Sequence, residues 1–223
     1  PIEEIASICG KYNIILHIDA AQSVGKINLD MNKSNIDILS FSSHKMYGPK
    51  GIGGLYIKNK SDKINLKPIM HGGGQQEGIR PGTLPVQNIV GFGKACEICN
   101  DKMADENEKI LKLRNHLLNS LKNVIPNLII NGELENRLSG NLNIAIPNIR
   151  NNSLMMSLRD IAISNGSACT SNSTEPSHVL RAIGLSKELA DSSIRFGIGR
   201  FNTIEEINYT IEKIRDNINK LRK

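Results

Sequence analysis

Apolar residues at Ile2, Ile5 and Ile8, interleaved with Glu3 and Glu4, repeat at helical spacing and predict a helix over residues 1–10. Pro1 at its start and Gly10 at its end suit helix termini. Short continuous apolar runs over 13–18, 37–42 and 54–57 predict buried strands of the parallel kind, the first ending on Asp19. The stretch 67–85 is rich in Gly and Pro and predicts an exposed or ligand-facing loop. Helical periodicity then runs over 86–122, long enough to cross from one domain into another. Beyond it, strands are predicted over 141–146, 162–163 and 193–198, and helices over 153–158, 177–183, 186–192 and 203–223. A polar loop is predicted over 164–176. This alternation predicts an α/β fold, with a partial, mostly parallel sheet flanked by helices and a smaller α+β domain after it. The domain boundaries read as 1–103 and 104–223.

Composition changes this picture little. The 223 residues are 39% hydrophobic and 22% charged, as in ordinary globular proteins. Trp is missing and aromatic residues reach only 4%, so the core must be aliphatic. The formal charge of +6 is scattered, with its densest stretch at 213–223, where Asp216 interrupts it. Without a helix-turn-helix or zinc signature, that charge does not point to nucleic acid. Cys9, Cys96, Cys99 and Cys169 are too few for a disulfide framework in a chain of this length, which favours a reducing compartment. No run of about twenty apolar residues predicts a membrane span. No signal peptide is read. The chain opens on Pro1 within a predicted helix, as expected of a fragment or processed chain.

Candidate chemistry lies at the ends of the predicted strands. Asp19 follows the first, in His17-Ile18-Asp19-Ala20-Ala21-Gln22. Open α/β sheets place ligands at the carboxyl ends of strands. A carboxylate there serves a cation or a hydrogen-bond donor, or else caps a following helix. Ser42-Ser43-His44-Lys45 follows the second strand. A lysine there can form a Schiff base, or can be an ordinary turn lysine. The ordered pair is more telling than either alone. A carboxylate for a ring nitrogen and an amine for an aldehyde are what a pyridoxal phosphate site needs. Ser42 and His44 can hydrogen-bond a phosphate, and Gln22, one turn beyond Asp19, can reach the ring hydroxyl.

These segments resemble the group I cysteine desulfurases, the IscS/NifS-like branch of the fold-type I aminotransferase superfamily. The resemblance rests on the segments 17–26 and 42–51, on His71-Gly72-Gly73-Gly74-Gln75-Gln76-Glu77-Gly78, and on Arg80-Pro81-Gly82-Thr83. It extends to Ser167-Ala168-Cys169-Thr170-Ser171 and Ser193-Ile194-Arg195-Phe196. It implies the C-terminal part of a pyridoxal-phosphate-dependent transferase, truncated at its N-terminus. It implies that Lys45 bonds the cofactor aldehyde, Asp19 meets the pyridine nitrogen, Gln22 the phenolic oxygen, and Ser42 and His44 the phosphate. Thr83 would reach the phosphate of a second subunit, which implies a homodimer. Arg195 would clamp the substrate carboxylate. Cys169 would take the sulfur of L-cysteine on a mobile loop, and could also ligate a nascent iron–sulfur cluster shared with a scaffold protein.

The implied activity converts L-cysteine to L-alanine and passes sulfur to a scaffold for iron–sulfur assembly or to tRNA thiolation. The implied compartment is the cytoplasm, or a mitochondrion or related organelle in a eukaryote. Other readings stay open on the same residues: a selenocysteine lyase or related enzyme with the same cofactor, or a non-catalytic truncated fragment. The half of the family that precedes these motifs normally carries a ring-stacking His and further phosphate ligands.

Three motifs are read as structural. His71-Gly72-Gly73-Gly74 resembles an esterase oxyanion loop, but no Gly-x-Ser-x-Gly elbow accompanies it. Cys96-x-x-Cys99 has metal-ligand spacing but lies in a predicted helix, and reads as helix packing. The glycines over 48–54 lack the Gly-Lys-Ser/Thr of a phosphate loop, and read as a turn beside Lys45.

Overall fold

The computed structural model describes residues 1–58, 64–165 and 176–221. It divides into two compact units, Pro1–Met103 and Ala104–Lys223. Each has its own apolar cluster.

In the first unit, helix α1 (Ile2–Lys11) carries Glu3 and Glu4 in its first turn and Lys11 in its last, an order that favours the helix dipole. It buries Ala6 against Ala20, Ile36 and Leu39. The sheet order is β1 (His17–Asp19), β2 (Ile38–Ser42), β3 (Gly53–Ile57). β1 and β2 run parallel, with Ile18 opposite Leu39 and Asp19 opposite Ser40. β3 runs antiparallel to β2, where the sequence pattern had suggested a parallel strand. The reason is chain length: residues 43–52 are too few for a parallel crossover, which takes a dozen or more. β1 is also shorter than its apolar run. Asn13 takes a left-handed conformation (φ 56°) as the chain leaves α1, and Ile14 and Ile15 are exposed. Pairing begins only at Leu16, whose carbonyl accepts from the amides of Asp37 and Ile38 at 3.1 and 3.0 Å.

Helix α2 (Val86–Val124) contributes residues to both units. In the second unit its Leu113, Leu117 and Leu121, spaced by one turn, join a fully apolar cluster. That cluster takes Leu142 and Ile144 from β5 (Asn141–Ala145) and Ile194 and Phe196 from β6 (Ser193–Gly197). Alternation along both strands selects these residues. The sheet is antiparallel, ordered β4 (Ile129–Ile130), β5, β6. β4 has two residues and no readable period. Short helices α3 (Asn151–Ser157), α4 (His178–Ala182) and α5 (Lys187–Asp191) connect the strands and lead to α6 (Ile204–Leu221). The strand predicted over 162–163 does not form. Ser164 instead makes one isolated bridge to Arg195.

α6 begins with a reciprocal cap: the Glu206 amide donates to Thr203 Oγ1 at 3.3 Å, and the Thr203 amide donates to Glu206 Oε2 at 3.2 Å. It buries Ile207, Ile214 and Ile218. Just ahead of it, Arg200 pairs with Glu106 at 2.6 Å, with side chains only 15% and 18% exposed.

Candidate active site

The parallel pairing of β1 and β2 sends both carboxyl ends to one edge of the sheet. Asp19 ends β1 and Ser42 ends β2. The chain then tightens into a 3-10 turn, Ser43–Met46. Ser43 and Met46 point inward at 0% and 3% exposure, which leaves His44 and Lys45 exposed at the strand edge. Tyr47 closes the turn in a left-handed conformation (φ 67°), and the Gly48 amide donates to the Ser43 carbonyl at 3.0 Å. β3 supports this turn closely. A β-carbon on Gly53 would stand 2.5 Å from the Phe41 carbonyl oxygen, so only glycine allows that approach.

On the β1 side, Asp19 Oδ1 accepts from the Ala21 amide at 3.0 Å. This is a local side-chain turn rather than the helix cap that the sequence left open. The chain coils on through Ser23 and Val24, whose amides both donate to the Ala20 carbonyl at 3.0 and 3.1 Å. That coil sets Gln22 and Lys26 on one side, and Lys26 Nζ donates to Gln22 Oε1 at 3.2 Å. Burial first, and then the charge of Lys45, pull Lys26 below the usual lysine range, while Cys99 pulls the other way. The charge of Lys45 therefore reaches Lys26. Beneath the edge, His17 Nε2 and Ser40 Oγ share a hydrogen bond of 3.2 Å.

Asp19, Gln22, Ser42, His44 and Lys45 thus share one edge of the first unit. Thr83 is exposed in the same unit, in the loop that precedes α2. Arg195 lies in the second unit on β6, half-buried and opposite Asn143. Its backbone exchanges hydrogen bonds with Ser164. Cys169 lies outside the described residues. Cys99 is buried, with its thiol 3.9 Å from the Met46 carbonyl, while Cys96 is exposed. Burial, and secondarily Cys99, push the Cys96 thiol up. Among the described residues no cluster of three His, Cys, Asp or Glu could hold a metal ion.

The family model described as aminotransferase class-V matches residues 1–210. The chain belongs to the class-V aminotransferase family. Members of that family work with pyridoxal phosphate. Among curated proteins, this class-V member is 52% identical over 221 residues to "Cysteine desulfurase IscS" of Actinobacillus succinogenes, covering 99% of this chain and 54% of that protein. It is 49% identical over 222 residues to the protein of the same name from Ehrlichia chaffeensis, covering 100% of this chain and 54% of that protein. The chain therefore spans about half the length of the curated relatives it matches. Among solved structures, a "NIFS-LIKE PROTEIN" aligns with a TM-score of 0.87 and 34% identity, over 98% of this chain and 57% of that one. A NifS-like protein from Rickettsia africae aligns with a TM-score of 0.86 and 31% identity, over 98% of this chain and 57% of that one. The fold of this class-V chain is that of the pyridoxal-phosphate-dependent transferases.

The donor set at the β1–β2 edge fits that cofactor. Pyridoxal phosphate presents a basic ring nitrogen, a phenolic oxygen, a phosphate and an aldehyde. The edge offers a carboxylate, an amide, a hydroxyl with an imidazole, and a primary amine. Lys26 lies at the end of the motif over 17–26. Its spacing of four from Gln22 was the one signal that could have paired them.

Proposed function

We propose that this chain is the cofactor-lysine part of a cysteine desulfurase, which moves sulfur from L-cysteine to Cys169 and leaves L-alanine. The observation that carries this reading is the shared edge of Asp19, Gln22, Ser42, His44 and Lys45 in a chain about half identical to proteins of that name. Pyridoxal phosphate, when bound, supplies an aldehyde for the substrate amine and a ring that takes up electrons from the substrate's α-carbon.

The residues of this chain do the rest. The Asp19 carboxylate keeps a proton on the ring nitrogen. The Gln22 amide donates to the phenolic oxygen, and Ser42 and His44 hold the phosphate. Thr83 reaches the phosphate in a second copy, so the working unit is a homodimer. Arg195 grips the substrate carboxylate through its planar fork. The Lys45 amine, released by the substrate, moves the α-proton. The Cys169 thiolate attacks the substrate sulfur. A sulfur–sulfur bond forms, the carbon–sulfur bond breaks, and its electron pair goes to carbon, which is protonated to alanine. Cys169 is left as a persulfide, which passes sulfur to an iron–sulfur scaffold protein or to tRNA thiolation. Cys169 can also ligate the cluster being built on that scaffold. This chemistry suits the cytoplasm, where thiols stay reduced. Among the described residues no helix is long and apolar enough to cross a membrane.

The test is alanine and sulfide release from L-cysteine by the parent protein and by Cys169→Ser. The expected result is loss of both products in the variant with its visible absorption intact. A Cys169→Ser protein working at the parental rate sinks the role.

A further inference from the structure

We propose that Lys26 is a positioning residue for the cofactor's phenolic oxygen: its ammonium holds Oε1 of Gln22, so the amide NH2 is the end of Gln22 offered to that oxygen. This rests on the cofactor reading above and deepens it. The geometry is a hydrogen bond of 3.2 Å between side chains four residues apart on one coil. Its direction is dictated by chemistry. An ammonium has three donors and no acceptor, so only the amide oxygen can face Lys26. The other end of a planar amide is a pair of N–H donors. A phenolic oxygen carrying negative charge needs a donor, so a flipped amide would present it with a repulsive oxygen. Lys26 removes that choice.

A second effect points the same way. Lys26 is half-buried and lies within the field of the Lys45 charge. A fixed cation there disfavours a further positive charge on the nitrogen through which Lys45 holds the cofactor. A firmer donor at the phenolic oxygen also favours the unprotonated form of that nitrogen, since the oxygen then carries its full negative charge. Both effects lower the pH at which the bound cofactor changes colour.

The readout is therefore the pH midpoint of the visible absorption change in protein reconstituted with pyridoxal phosphate, measured without substrate. Lys26→Met is expected to raise the midpoint by about 0.5 to 1 pH unit. Lys26→Arg, which keeps charge and donors, is expected to restore it. Lys26→Gln, which keeps a donor without charge, is expected to fall between. In a Gln22→Leu background, Lys26→Met is expected to move the midpoint by less than half as much, because one of its two routes is gone. A midpoint in Lys26→Met that matches the parent overturns the proposal, even if the variant melts at a lower temperature. An undiminished shift in the Gln22→Leu background overturns the coupling through Gln22. A parent protein that gains no visible band from pyridoxal phosphate overturns the cofactor reading itself, a different failure from an unmoved midpoint.

Discussion

A β-carbon on Gly48 would stand 2.1 Å from the hydroxyl oxygen of Ser43, so these two residues fit only because one of them has no side chain. The contact sits under the turn that carries His44 and Lys45. The same Ser43 oxygen is fully buried and has no hydrogen-bond partner among the described residues. Gly48→Ala is expected to cost about 1–3 kcal/mol by overpacking, and to weaken cofactor retention by displacing the Lys45 turn. Thermal melting and cofactor titration check both. Ser43→Ala removes an unpaired hydroxyl and is expected to be neutral or stabilising, contrary to the usual effect of a core substitution.

Lys45→Ala is expected to abolish the visible band that pyridoxal phosphate gives the parent protein, since no bond to the aldehyde can form. Asp19→Asn is expected to keep a band and to slow alanine formation about 10²- to 10³-fold, because a neutral amide does not hold the proton on the ring nitrogen. Equal loss of the band in both variants would show that Asp19 serves the fold of the edge rather than the chemistry.

Arg200 and Glu106 form a largely buried ion pair, and the Arg200 carbonyl also accepts from Lys109 Nζ at 3.0 Å. Removing one charge leaves the other in a poorly hydrated place. Glu106→Gln is expected to destabilise by about 1–3 kcal/mol, more than loss of the solvent-exposed Lys112–Glu108 pair, which water and salt screen. Melting temperatures of the two single variants compare them directly.

Asp160 accepts a hydrogen bond from Tyr209 and pairs with Lys213 at 3.2 Å. The Tyr209 bond first, and the Lys213 bond next, hold the Asp160 carboxyl below its usual value of 3.8. A carboxylate with a depressed native pKa stabilises the fold above its unfolded value, and that stability is lost as pH falls through the native value. The melting-temperature gap between the parent and Asp160→Asn is therefore expected at neutral pH, and should close below about pH 3.8. The site is exposed, so salt should narrow the gap at neutral pH.

The helices were legible because packing and periodicity agree. The pattern over 86–122 became α2, and Leu113, Leu117 and Leu121 face the core as their spacing requires. Asp19, Ser42 and Lys45 were legible as strand-end residues because an apolar run followed by a polar residue marks where a buried strand stops. The direction of β3 was legible in the short connection over 43–52, but from its apolar run, which reads the same both ways, it was not legible. Nor was β4, whose two residues carry no pattern. The Lys26–Gln22 contact was hidden because it depends on a coil after Asp19 that no strong helix signal announced.

Order along the chain was enough to establish which residue types follow each strand, and hence the acid, hydroxyl, imidazole and amine of the candidate site. Those are local properties, set by where apolar runs end. Tertiary structure alone decided that Asp19 lies opposite Ser40 and that Lys26 reaches Gln22 while sharing the field of Lys45. Each of these depends on backbone register or on a charge acting across space, and neither is written in the identity of neighbouring residues.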